Sequence, residues 1–108
     1  MSSSYGGGLV QGKADRTAAW AAGALVAAKS GYKVKVAAVY VMSAVAGEVS
    51  FLDTADVVWE VYPNDGGGVA SEAPAGEFLF ETAAGVELTC TTDITGDHFV
   101  SVLYKYEV

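Results

Sequence analysis

The chain of 108 residues holds one histidine, His98, and one cysteine, Cys90, so acid–base and thiol chemistry have few places to stand. A nucleophile needs a base within hydrogen-bond reach and a third group to orient that base. No Ser or Cys motif of that kind accompanies His98, which follows Gly96-Asp97 at the start of the last strand. It is expected to be a partner-bonding residue at a strand end. Cys90 alternates with Val86 and Leu88, a pattern that suits a small apolar side chain in the core. Asp53 and Asp56 flank one turn, and Asp93 and Asp97 another. Loop carboxylates can hold Ca²⁺, which takes roughly six to eight oxygens. Neither pair has the dense alternation of an EF-hand, so solvated turn residues are expected. A glycosidase pair drawn from Glu60, Glu77 or Glu81 is open on side-chain chemistry, but no spacing selects it. Gly6-Gly7-Gly8 and Gly66-Gly67-Gly68 lack the Lys and Ser/Thr of a phosphate loop, and HExxH, CxxC, GxSxG and GxGxxG do not occur. The expectation is no enzyme, no metal and no cofactor.

Aromatic residues are the more informative group. Trp20, Trp59, Tyr62, Phe78, Phe80, Phe99, Tyr104 and Tyr106 can serve as core, as interface or as a sugar-stacking platform. Trp59 and Tyr62 lead into the glycine loop that contains Asn64, and these three form the ligand-facing loop to suspect if the chain binds sugar.

Charge is divided along the chain. Residues 1–46 carry Lys13, Arg16, Lys29, Lys33 and Lys35 against Asp15, whereas residues 47–108 carry twelve acids against Lys105. An acidic body repels nucleic acid, and no nucleic-acid partner is expected. The basic segment suits an acidic neighbour, such as a sister subunit, so Tyr5, Lys13, Arg16 and Trp20 are the candidates for that contact. The longest apolar run, residues 18–28, has eleven residues, against roughly 18 for a membrane-spanning helix. No membrane partner is expected. Residues 1–8 lack the basic start of a signal peptide.

These side chains must be positioned by strands. Ser, Gly and one Tyr make residues 1–16 read as an N-terminal arm, leaving 17–108 as one domain. Residues 15–28 fit a short Ala-rich helix or a first strand, with extended structure favoured from about Ala24. Beyond them the period is two. Tyr32, Val34, Val36, Ala38, Tyr40 and Met42 share one face, while the other runs from Lys33 and Lys35 to Ala37, Val39 and Val41. A strand wet at one end and apolar on both faces at the other suits a sandwich whose far end is covered by another element or subunit. Further short strands lie at 48–52, 57–62, 77–81, 86–91 and 98–108, with turns between them. The fold class expected is all-β, an antiparallel, jelly-roll-like sandwich.

The segments Ala24-Leu25-Val26-Ala27-Ala28, Gly31-Tyr32-Lys33-Val34-Lys35-Val36 and Ala46-Gly47-Glu48-Val49-Ser50-Phe51, with Phe80-Glu81-Thr82-Ala83-Ala84-Gly85-Val86-Glu87-Leu88 and the closing His98–Tyr106 strand, resemble small structural proteins of tailed bacteriophages. That group comprises head decoration, or cement, proteins and virion-surface proteins. The resemblance spans residues 24–108 and implies a jelly-roll sandwich, a homo-oligomer with the trimer favoured, and the major capsid protein as partner. It places the chain on the capsid exterior of a virion assembled in the host cytoplasm. The alternative is a receptor- or carbohydrate-binding virion module, such as a tail or fibre knob.

Overall fold

The structure, a computed structural model, describes residues 9–16, 18–54, 56–64 and 66–108, without the side chains of residues 21 and 22. Among them the chain is all-β. Its strands are β1 (Val10–Arg16), β2 (Trp20–Val26), β3 (Lys33–Ser43), β4 (Val49–Asp53), β5 (Asp56–Val61), β6 (Gly67–Glu72), β7 (Phe80–Glu81), β8 (Leu88–Thr92) and β9 (His98–Glu107). Two antiparallel sheets result, one ordered β1-β9-β3-β6 with β7 also on β3, the other β2-β8-β4-β5. All connections except β4–β5 and β6–β7 cross between the sheets, so the chain winds around its core as a jelly roll does. Val34, Val36, Val39, Val49, Phe51, Leu88, Ile94, Val100 and Val102 are fully buried between the layers.

The N-terminal boundary differs from the sequence expectation. Residues 10–16 belong to the sandwich as edge strand β1, registered on β9 with Gln11 opposite Leu103 and Ala14 opposite Val100. Small residues make this possible: Gly12 and Ala14 alternate inward, and a Cβ on Gly12 would meet the Leu25 carbonyl at 3.0 Å. Residues 1–8 of the expected arm, with Tyr5, lie outside the described residues. The Ala-rich stretch is strand from Trp20 onward, paired with β8 through two register shifts, so sheet pairing overrides the helix propensity of Ala. The Trp20 ring lies across Gly23, where an added Cβ would sit 2.1 Å from Nε1.

A bulge in β3 decides which side chains the first sheet shows to solvent. Val36 pairs with Tyr104 but Ala38 pairs with Leu103, leaving Ala37 as an extra residue. Before it Val34 and Val36 point inward; after it Val39 and Val41 do, and all four are buried. Tyr40 and Met42 therefore do not share a face with Val34, as simple alternation predicts. They face outward, and Met42 is 66% exposed.

The Glu81–Gly85 segment is a fastening. Thr82 is buried; its hydroxyl accepts the Val34 N–H at 3.0 Å and lies 3.0 Å from the Val86 carbonyl it donates to. Gly85 has φ of +77°, a left-handed conformation that favours glycine, and its N–H donates to the Tyr32 carbonyl at 2.8 Å.

Candidate functional site

His98, Cys90 and the turn carboxylates are used by the fold. His98 Nδ1 donates to the Gly96 carbonyl at 2.8 Å, and Nε2 accepts from the Thr92 hydroxyl at 2.9 Å. That hydroxyl in turn accepts the Trp20 N–H at 3.1 Å, so His98 ties the start of β9 to β8 and β2. The buried Cys90 thiol is pushed up to about 12, mainly by desolvation, with the Arg16 charge opposing slightly. Asp53 Oδ2 accepts the Ala83 N–H at 2.7 Å, and Asp93 Oδ1 accepts the Glu48 N–H at 2.6 Å. These two tether neighbouring segments from the surface, Asp93 remaining exposed as expected of a turn carboxylate. Among the described residues no group of three or more His, Cys, Asp or Glu is placed to hold a metal ion.

The aromatic candidates separate. Trp20 is 9% exposed and belongs to the core, so its ring has no surface to offer a capsid or a sister subunit. Arg16 lies over it, with the guanidinium carbon 4.0 Å from the ring centroid. Trp59 turns inward from β5 and stacks on Phe80 at 5.6 Å between centroids. Its Nε1 is buried without a hydrogen-bond partner. Tyr62 is 60% exposed, and the negative charge of Glu60, then desolvation and Glu48, raise its phenol above the ordinary value. Asn64 is exposed. Trp59 and Tyr62 thus face opposite ways and do not form a joint stacking platform.

A different set of residues forms the most distinctive surface: the outer face of the first sheet. Cross-strand register sets its rows. Asp15, Phe99, Met42 and Gly68 lie in one row, and Lys13, Ser101, Tyr40 and Ala70 in the next. The third row holds Gln11, Leu103, Ala38 and Glu72. The two central strands therefore turn Phe99, Leu103, Met42 and Tyr40 outward without a charge among them, while Ala38 and Ser101 on the same face are buried. Ser101 is covered by Gln11, whose Nε2 donates to its hydroxyl at 2.9 Å. The Tyr40 hydroxyl donates to Glu72 at 2.5 Å. At the Met42 end, Arg16, Met42, Gly67 and Phe99 border a groove of about 480 Å³.

Charge bounds the patch. Beyond Leu103 the same face carries a ladder in which Lys33 and Lys35 meet Glu81 at 3.0 and 3.7 Å. Lys35 and Lys105 meet Glu107 at 3.0 and 2.8 Å. The hydrogen bond from Lys33 lowers the Glu81 carboxyl, and those from Lys105 and Lys35 lower that of Glu107. Lys35 is raised chiefly by its bond to Glu107. Lys13 is exposed on the outer side of β1, at the opposite border, while Arg16 shares the phase of Gly12 and Ala14 and lies over Trp20.

Of the candidates read from sequence, Lys13 borders this surface and Arg16 the groove at its Met42 end, while Met42, Tyr40, Phe99 and Leu103 were not singled out for it. The signal for β9 was present: Phe99 to Tyr106 is apolar in both phases except at Ser101 and Lys105. The signal for β3 was inverted by the bulge at Ala37. Comparison with models of protein families, with curated proteins and with solved structures finds no match.

Proposed function

We propose that this chain is a virion structural subunit of the head-decoration kind, attached to the outer capsid surface of a tailed phage through the major capsid protein and its own copies. The observation that carries the reading is the outer face of the first sheet. An antiparallel sandwich ordinarily turns polar residues to water on its outer side. Here Met42, Phe99, Tyr40 and Leu103 stand there instead, on the two longest strands, and a contiguous apolar surface of this kind marks an interaction site.

The resemblance over residues 24–108 supplies the class of partner and implies three copies. Lys13 on the border of the face is the candidate to meet acidic groups of a capsid, with Arg16 at the end of the same strand. Modest contacts repeated by capsid symmetry add up as avidity, which lets a domain of 11.1 kDa hold capsid proteins together against internal pressure.

The test is co-sedimentation with heads assembled without the protein, followed by thermal disruption of those heads. Bound protein and a higher disruption temperature are expected. Substituting the exposed Lys13 by Glu weakens binding while leaving the fold intact. A folded protein that ignores the heads, or binds them without raising their stability, refutes the decoration role.

A further inference from the structure

We propose that Met42 is an oxidation site: a hydroperoxide converts its thioether to the sulfoxide, which turns the outer face of the first sheet polar and weakens what docks there. Two sulfur atoms lie among the described residues, and the fold treats them oppositely. Cys90 is fully buried between the sheets, where an oxidant reaches it only through unfolding. Met42 is 66% exposed, although it stands on β3, a central strand with a neighbour on either side.

That exposure is built into the register. Met42 pairs with Phe99 on one side and with Gly68 on the other. A Cβ at Gly68 would sit 3.4 Å from Met42 Cγ, so the methionine lies beside the one strand position that has no side chain to cover it. Gly67 precedes it on β6, and the groove of about 480 Å³ bordered by Arg16, Met42, Gly67 and Phe99 opens the thioether to small solutes. The chemistry needs no catalyst from the chain. A sulfur lone pair attacks the terminal oxygen of the hydroperoxide, an S–O bond forms and the O–O bond breaks. The proton on the transferred oxygen passes to the departing one, which leaves as water or an alcohol. Sulfur is oxidised by two electrons and the peroxide is reduced by two. The product is a polar, chiral group in place of a flexible apolar one, and methionine sulfoxide reductases reverse the change. Burying such a group against a partner that offers it no donor costs free energy, so the reduced face docks and the oxidised face does not.

The effect on capsid attachment rests on the function proposed above, whereas the oxidation and the change in the face do not. The experiment treats the purified full chain with hydrogen peroxide and follows it by peptide mass mapping, hydrophobic-interaction chromatography and co-sedimentation with heads assembled without the protein. Expected are a gain of about 16 Da at Met42, at a rate close to that of free methionine, with Cys90 unmodified. Earlier elution and a head affinity about tenfold lower accompany it, and a sulfoxide reductase restores both. In Met42→Leu, whatever its own starting values, peroxide changes neither. Oxidation of Met42 far slower than that of free methionine, an elution unmoved by it, an equal peroxide response in Met42→Leu, or oxidised protein that binds heads as the reduced protein does overturns the proposal. A chain whose elution shifts on oxidation but which binds heads in neither state refutes capsid attachment and leaves the oxidation site standing.

Discussion

Thr82 is the residue at which a single atom exchange tests the architecture most directly. Its side chain is 1% exposed, and its hydroxyl joins β3 to the turn that follows β7. The oxygen accepts the Val34 N–H at 3.0 Å while the proton is donated to the Val86 carbonyl at 3.0 Å, with the Ala83 carbonyl at 3.1 Å as a second acceptor. Thr82→Val keeps the volume and the branched Cβ but removes both functions. Val34 is fully buried, so its N–H gains no water in exchange, and an orphaned buried donor costs about 1–3 kcal/mol. The Val86 side is half-buried, and its carbonyl recovers part of its loss from solvent. The working figure is therefore about 2 kcal/mol, or a fall in Tm on the order of 10 °C for a domain of this size.

Thr82→Ser is the informative companion. It keeps the hydroxyl and deletes one buried methyl, at a cost of about 1 kcal/mol. Denaturant melts of the three proteins give the ordering, with the parent most stable, Ser intermediate and Val least. Reasoning from the hydroxyl fails if Val matches the parent, or if Ser is the less stable of the two variants.

Other outcomes follow from the same geometry. The Glu81 and Glu107 carboxyls are lowered by their lysines, so their contribution is present above the ordinary carboxylate range and lost as pH falls through the lowered values. Lys35 is raised by Glu107, so its contribution is present below the ordinary lysine value and lost as pH rises through the folded one. Melts across pH should show both shoulders, and replacing Glu81 and Glu107 together by Gln should flatten them; an unchanged profile counts against the ladder. Gly23→Ala forces a Cβ to within 2.1 Å of the Trp20 indole nitrogen, so the ring must move. A loss of about 1–3 kcal/mol is expected, with a change in Trp20 emission read in a background where Trp59 is Phe. Cys90, buried and shifted to about 12, should resist thiol reagents in the native protein and label only with global unfolding; rapid labelling without unfolding contradicts its burial.

The strands were largely legible because period-two alternation is a local signal, and β4, β5, β8 and β9 lie close to where it places them. Three features were not, each for a separate physical reason. Val10–Arg16 reads Val-Gln-Gly-Lys-Ala-Asp-Arg, and its inward positions are Gly and Ala, which give no apolar signal; only the proximity of β2 explains why nothing larger fits. Trp20–Val26 is rich in the best helix former, and pairing with β8, distant in sequence, reverses that preference. Trp59 and Tyr62 read as neighbours at the mouth of a loop, yet Trp59 turns inward from β5 while Tyr62, just past the end of that strand, is exposed.

The bulge at Ala37 is the least legible feature and has the largest consequence for the candidate site. In Val36-Ala37-Ala38-Val39 every residue is small or apolar, so the sequence contains no phase mark where the alternation slips. A regular strand would put Tyr40 and Met42 into the core opposite Val100 and His98, and turn Val39 and Val41 to water. The valines are the better fit: all of Val39, Val41, Val100 and Val102 are at most 1% exposed, in a layer that could admit neither a phenol nor a thioether of greater length without displacing them. The extra residue thus relieves the core and delivers the displaced bulk to the outer face in one step. Packing inside the sandwich and the apolar side chains outside it have the same origin, because a one-residue slip exchanges the faces of a strand.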